Sequence, residues 1–263
     1  MQFDLTTLHG WLRLCHVLPG FVGLIAFWFP VFAKKGKRVH VLVGKLFAFC
    51  CLTVVISATI SSIWAVVAPM SFLPNTRGMS DQQLANAVDS SRFFGWLLGP
   101  LSLFTFIPLV FSLQWLKAKN SPTAMQSGWL RSLVSIEAIL CIAMIFYGWQ
   151  RAFGTGANHW WAIFGIGVAG LTATYKHCMD TTQPAPYRMQ WWYRHMEYML
   201  TTGIAFHTAF LVFGVTRIFG SLLTGYYAVL PWILPSVIGV PAILFWVAWY
   251  RRKFNDERIA KGV

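Results

Sequence analysis

Apolar residues run along this chain in long blocks separated by short polar breaks. The blocks are long enough for helices that cross the hydrocarbon core of a bilayer, which takes about 20 residues. They fall at 9–33, 41–69, 93–116, 129–150, 158–176, 191–216 and 224–250. The pattern predicts an all-α membrane bundle of seven transmembrane helices, a single domain over residues 1–263 with no internal repeat. The longest polar break, 71–91, contains "SDQQLANAV". Ser80 with Gln83 three residues on is a helix-start signature, and Leu84 and Val88 would then rest on the membrane surface. Pro231, Pro235 and Pro241 predict a kink in the last span. Trp160, Trp161, Trp191, Trp192, Tyr226 and Tyr227 fall near span ends, where interfacial aromatics belong.

Composition strengthens the membrane reading. The chain is 57% hydrophobic and 11% charged, against about 25% charged in soluble domains. A net charge of +13 would suggest nucleic acid in a soluble protein. Here no base-reading motif occurs, no nucleic-acid partner is expected, and the cations gather in the polar breaks. Of the 21 lysines and arginines, 16 fall on one side: Lys34, Lys35, Lys37, Arg38, Lys45, Lys117, Lys119, Arg131, Lys176, Arg188, Arg194, Arg251, Arg252, Lys253, Arg258 and Lys261. Arg13, Arg77, Arg92, Arg151 and Arg217 fall on the other. The positive-inside rule then places the N-terminus outside and the C-terminus in the cytoplasm. The first apolar block has no small-residue cleavage site after it, so it reads as an uncleaved span.

Several chemistries are excluded by spacing. The five cysteines (Cys15, Cys50, Cys51, Cys141, Cys178) include no CxxC and no CxxCH, so zinc-ribbon, thiol-redox and covalent haem signatures are missing. "GIGVAG" at Gly165–Gly170 spells GxGxxG in mid-span, where small residues mean helix packing rather than a dinucleotide fingerprint. The last span holds no lysine for a retinal, and no long histidine box occurs.

Ionisable groups inside a membrane are costly and mark sites. The seven histidines are His9, His16, His40, His159, His177, His195 and His207. At about 100° per residue, His9, Arg13, His16, Gly20 and Gly23 share one stripe of the first span. His40, Gly44, Phe47 and Cys51 share a face of the second. Glu137, Cys141, Met144 and Gly148 share one of the fourth. Met196, Leu200, Gly203, His207 and Gly214 share one of the sixth. Depth sorts the histidines into an outer pair, His16 with His207, and an inner group, His40 with His195 or His177. His16 lies about 10 Å below His9, and His207 roughly 14 Å below the outer end of its span. Two stacked bis-histidine sites suit a b-type haem relay. A glycine one turn away admits a flat macrocycle at His16/Gly20, His40/Gly44 and Gly203/His207. Arg13 would meet a haem propionate or Glu137; Arg38 and Arg194 would meet inner propionates. Against a simple stack, His195 and His207 are 12 residues apart, about 120° around the helix.

"KRVHVLVGKLF" and "WWYRHMEYMLTTGIAFHTAFLVFG" resemble an uncharacterised family of bacterial multi-span membrane proteins, a domain of unknown function with HxxxG at one span start and a basic-aromatic start at another. More remotely, the basic KxxH span start looks like transmembrane b-type cytochromes, though with more spans and different ligand spacing. The resemblance implies a bacterial inner-membrane location and favours His40 and His207.

The leading expectation is an integral membrane redox protein holding haem b and exchanging electrons with quinone. One alternative is a zinc-dependent membrane enzyme using His40, His177, His195 and Glu197. Another is a non-enzymatic subunit or transporter, working with other membrane subunits, whose polar groups line a path. The plainest is that these groups only join helices.

The cation bias yields the first prediction. A fluorescent protein fused after Val263 should be fluorescent, and a phosphatase that works only in the periplasm should be inactive there. The opposite pair of results inverts the topology.

Overall fold

The computed structural model describes residues 5–73, 76–119, 121–156, 159–215, 227 and 229–257. Arg217, Tyr226, Arg258, Lys261, Val263 and the expected starts of the fifth and seventh spans, at 158 and 224, lie outside the described residues. Among the described residues every regular element is helical: α1 Leu8–Phe32, α2 Arg38–Val67, α3 Pro69–Phe72, α4 Asp81–Ala118, α5 Gly128–Thr155, α6 Trp160–Thr182, α7 Gln190–Ala209 and α8 Leu230–Lys253. A 3₁₀ turn, Pro122–Gln126, precedes α5, and α7 runs on into a π-helical stretch, Phe210–Val215. Six helical segments are long and apolar enough to cross a membrane: α1, α2, α4, α5, Gln190–Gly214 and α8. The remaining long helix, α6, has the length but carries Lys176, His177 and Asp180 in its second half.

The chain forms two compact units. The first comprises Met1–Phe21, Leu52–Leu103 and Ser132–Cys178; the second comprises Val22–Cys51, Phe104–Arg131 and Met179–Val263.

Ser80 and Gln83 cap α4 reciprocally. The Ser80 N–H donates to Gln83 Oε1 (2.9 Å) and the Gln83 N–H donates to Ser80 Oγ (3.3 Å). The helix they start is not a separate surface segment, as the polar break suggested. It continues into the third span as one 38-residue helix, because no glycine or proline interrupts residues 81–94. Pro231 sits in the first turn of α8, where a missing N–H breaks no bond, while Pro235 and Pro241 lie inside the helix.

The predicted face of α5 is the buried one. Val134, Glu137, Cys141, Met144, Gly148 and Ala152 are all inside, while Ile136, Ile139, Ile142, Phe146, Trp149 and Phe153 are exposed on the other side. Lipid tails are as apolar as these exposed side chains, so helices here associate through close packing rather than through the hydrophobic effect. In the first unit, α5 and α6 meet at glycines. A Cβ at Gly148 would lie 2.7 Å from the Phe164 backbone nitrogen, and one at Gly167 would lie 2.9 Å from the Cys141 carbonyl oxygen. Gly167, from the GxGxxG-like run, therefore serves helix contact.

Backbone atoms cannot step aside as a side chain can. Gly148→Val should lower stability by about 1–3 kcal/mol through overpacking, read as a lower unfolding midpoint in detergent. Gly154→Ala, with nothing within 4 Å of the new Cβ, should not lower it.

Candidate functional site

In the second unit, the "KKGKRVHVLVGK" stretch does more than carry charge. The Lys35 ammonium donates to the carbonyls of Pro30 and Val31, each at 2.7 Å, closing the C-terminal end of α1. Burial pulls its pKa below the ordinary lysine value. His40, in the first turn of α2, donates Nδ1–H to the same Pro30 carbonyl at 3.1 Å. The predicted face of α2 holds: Phe47 and Cys51 are buried, His40 and Gly44 half-buried. A Cβ on Gly44 would meet nothing closer than Pro30 Cγ at 3.8 Å.

His195, in the second turn of α7, shares its Nδ1–H between Ser112 Oγ (2.8 Å) and the Ser112 carbonyl (3.2 Å). The Ser112 hydroxyl in turn donates to the His195 carbonyl at 3.1 Å. His40 and His195 both lie in the second unit. His207 donates Nδ1–H to the carbonyl of Gly203, one turn back on its own helix, at 2.7 Å. The rings of Phe27 and Trp28 flank it edge-on at 5.1 and 5.4 Å between centroids. The slot expected beside Gly203 is filled, because the Phe27 ring sits where a Cβ would go.

In the first unit, His16 donates Nδ1–H to Ser57 Oγ at 3.2 Å; that hydroxyl's own proton goes to the Val54 carbonyl at 2.9 Å. Each of the four candidate ligands thus meets a partner that fixes the proton on Nδ1. None of their Nε2 atoms is hydrogen-bonded to a described residue. His16 and His207 each find their hydrogen bond inside their own unit. Gly20, beside His16, faces Val54 Cγ2 at an ordinary 3.7 Å.

Arg13 departs from expectation. It is exposed, and its guanidinium donates to His9 Nε2 at 3.2 Å, not to Glu137. One turn of helix separates the two, and an arginine near a helix end keeps its charged head outside the hydrocarbon. Glu137 pairs instead with His177, whose Nδ1–H donates to Oε2 at 2.8 Å. The two side chains are 1% and 3% exposed, and Glu137 Oε1 has no partner among the described residues. His177 thus has a buried carboxylate partner within the first unit.

The second unit holds a polar cluster that the sequence reading missed. Asp180 Oδ2 accepts from Trp115 Nε1 (3.1 Å) and Tyr198 Oη (2.7 Å), and Oδ1 takes Arg194 Nη2 (2.8 Å). Arg194 Nη1 also holds Glu197 Oε2 at 2.8 Å. Arg194 thereby meets two carboxylates in the second unit. Among the described residues no group of three or more His, Cys, Asp and Glu converges to hold a metal ion. The one available signal for this cluster was the scarcity of acids: with only eight in the chain, an aspartate at the end of an apolar block needs a partner.

No family model matches the chain, and no curated protein and no solved structure is similar to it.

Breaking a buried pair leaves one uncompensated polar partner, at a cost of about 3–5 kcal/mol. Glu137→Leu and His177→Leu should each lower stability by that order. The double variant should recover most of the loss, a coupling read by a double-mutant cycle. Additive losses would mean that the two side chains do not act as a pair.

Proposed function

We propose that the protein is a multi-pass electron-transfer protein of the bacterial inner membrane, with a b-type haem held at its inner end by His40 and His195. One observation carries this reading. His40 and His195, each near the start of a membrane-spanning helix, have Nδ1–H tied to a protein oxygen, and no hydrogen bond joins their Nε2 to a described residue. That tethering is how a protein fixes the tautomer and orientation of an imidazole ligand.

Two features support the reading. Gly44, one turn from His40, faces Pro30 Cγ at an ordinary 3.8 Å without crowding, and Arg38, exposed at the start of α2, is a cation available to a propionate. A bound haem would supply one-electron exchange. The chain's own part is to hold the rings: the Pro30 carbonyl orients His40, Ser112 orients His195, and Lys35 secures the carbonyl that His40 uses. His207 has the same kind of tether, but the Phe27 ring fills the slot beside Gly203. Seven spans, with α6 as the fifth, an outside N-terminus and a cytoplasmic C-terminus complete the proposed architecture, and quinone in the bilayer is the proposed electron partner.

The test is the absorption spectrum of purified protein. A Soret band with sharp reduced α-bands is expected, and His40→Ala and His195→Ala should each remove the same spectral component. A colourless protein after expression with ample haem supply, or loss of different components in the two variants, overturns the assignment.

A further inference from the structure

We propose that the cleft between α7 and α8 in the second unit binds the phosphate headgroup of an anionic glycerophospholipid. The cleft has a volume of about 280 Å³, near the low end of ligand pockets at ~300–1,000 Å³, which suits a headgroup rather than a macrocycle. Its polar wall carries three residues with buried atoms that have no hydrogen-bond partner among the described residues: Arg251 Nε, Arg194 Nε and Gln190 Oε1. Gln190 is 4% exposed. A buried polar atom without a partner costs free energy, so these three groups define the chemistry of the missing occupant. Two guanidinium edges call for an anionic acceptor, and the carboxamide calls for a hydroxyl.

Charge narrows the choice. Arg194 is neutralised by Asp180 and Glu197, and Glu197, which also lines the cleft, is held by Arg194. Arg251 has no carboxylate in ion-pair range among the described residues. Its guanidinium lies over the Tyr187 ring at 4.1 Å and the Tyr193 ring at 5.5 Å. A guanidinium stacked on an aromatic face keeps its edge N–H groups for an oxyanion, as arginine does when it holds phosphate. Asp256, at the same end, is occupied by the Met189 N–H (3.0 Å) and the Tyr193 hydroxyl (2.9 Å). The opposite wall is Leu244 and Val247 of α8, and Leu244 is 64% exposed on the apolar surface. The site is thus continuous with the surface along which an acyl chain lies, and basic pockets between membrane helices take anionic headgroups. The inference does not depend on haem.

The experiment is native mass spectrometry of the full chain in neutral detergent. The probes are phosphatidylglycerol, phosphatidylcholine of the same acyl chains, inorganic phosphate and a short-chain ubiquinone. The expected result is one retained phosphatidylglycerol, preferred over phosphatidylcholine roughly fivefold, the effect of about one arginine near a membrane surface. Arg251→Gln should bring that preference to parity, and Arg251→Lys should keep part of it. Val247→Trp, which fills the cleft without altering charge, should lower retention, and it decides the matter if Arg251→Gln does not fold. Equal retention of the two lipids, an unchanged preference in Arg251→Gln, or full retention in Val247→Trp overturns the proposal. Displacement of the lipid by inorganic phosphate at equal concentration assigns a free-anion site instead, and displacement by the quinone assigns a neutral amphiphile; either overturns it.

Discussion

Hydrocarbon offers no hydrogen bonds, and every polar group placed in these helices must therefore be satisfied by the protein itself. That constraint organises what the two units contain. Glu137 and His177 close on each other in the first. In the second, Asp180 gathers an indole, a phenol and a guanidinium, and Glu197 completes the arginine. Serines return their protons to backbone carbonyls, as Ser57 does at Val54 and Ser112 at His195. Where the rule is kept, the group is structural. Where a buried atom escapes it, as at Glu137 Oε1, Gln190 Oε1 and Arg251 Nε, structure alone does not explain why the residue is there.

The parts of this arrangement that depend on local periodicity were legible in the sequence. The apolar blocks become helices, the third beginning twelve residues ahead of its expected start because its cap lies at Ser80, and the faces of α2 and α5 are buried as their spacing implies. The reciprocal cap at Ser80 and Gln83 is a contact three residues apart and needs no tertiary knowledge. What was not legible is long-range pairing. Glu137 and His177 are 40 positions apart, and Trp115 and Asp180 are 65 apart. Helical spacing says which residues share a face but not which helix that face meets. Arg13 shows the same limit. It lies on the stripe of His9 and His16, yet it is exposed, because a long side chain near a helix end can turn its charge outward from a stripe position. On α7 the buried side shifts toward Tyr198, Thr202 and Phe206, because the tyrosine hydroxyl follows Asp180.

The histidines are where the constraint is most informative, because an imidazole has two nitrogens and a structural role can use both. A histidine that merely joins two helices donates from one nitrogen and accepts at the other, or at least reaches a different helix. Among the described residues, the hydrogen bond of His207 goes to the carbonyl four residues back on α7, and its contact with α1 is through the rings of Phe27 and Trp28. His40 and His195 do reach neighbouring helices, but with Nδ1 alone. At four separate sites Nδ1 is tied to an oxygen, and no hydrogen bond joins Nε2 to a described residue. Tying one ring nitrogen fixes the tautomer and the orientation of the ring. The proposed haem site would draw on that property at His40 and His195, where the remaining lone pair stays unprotonated.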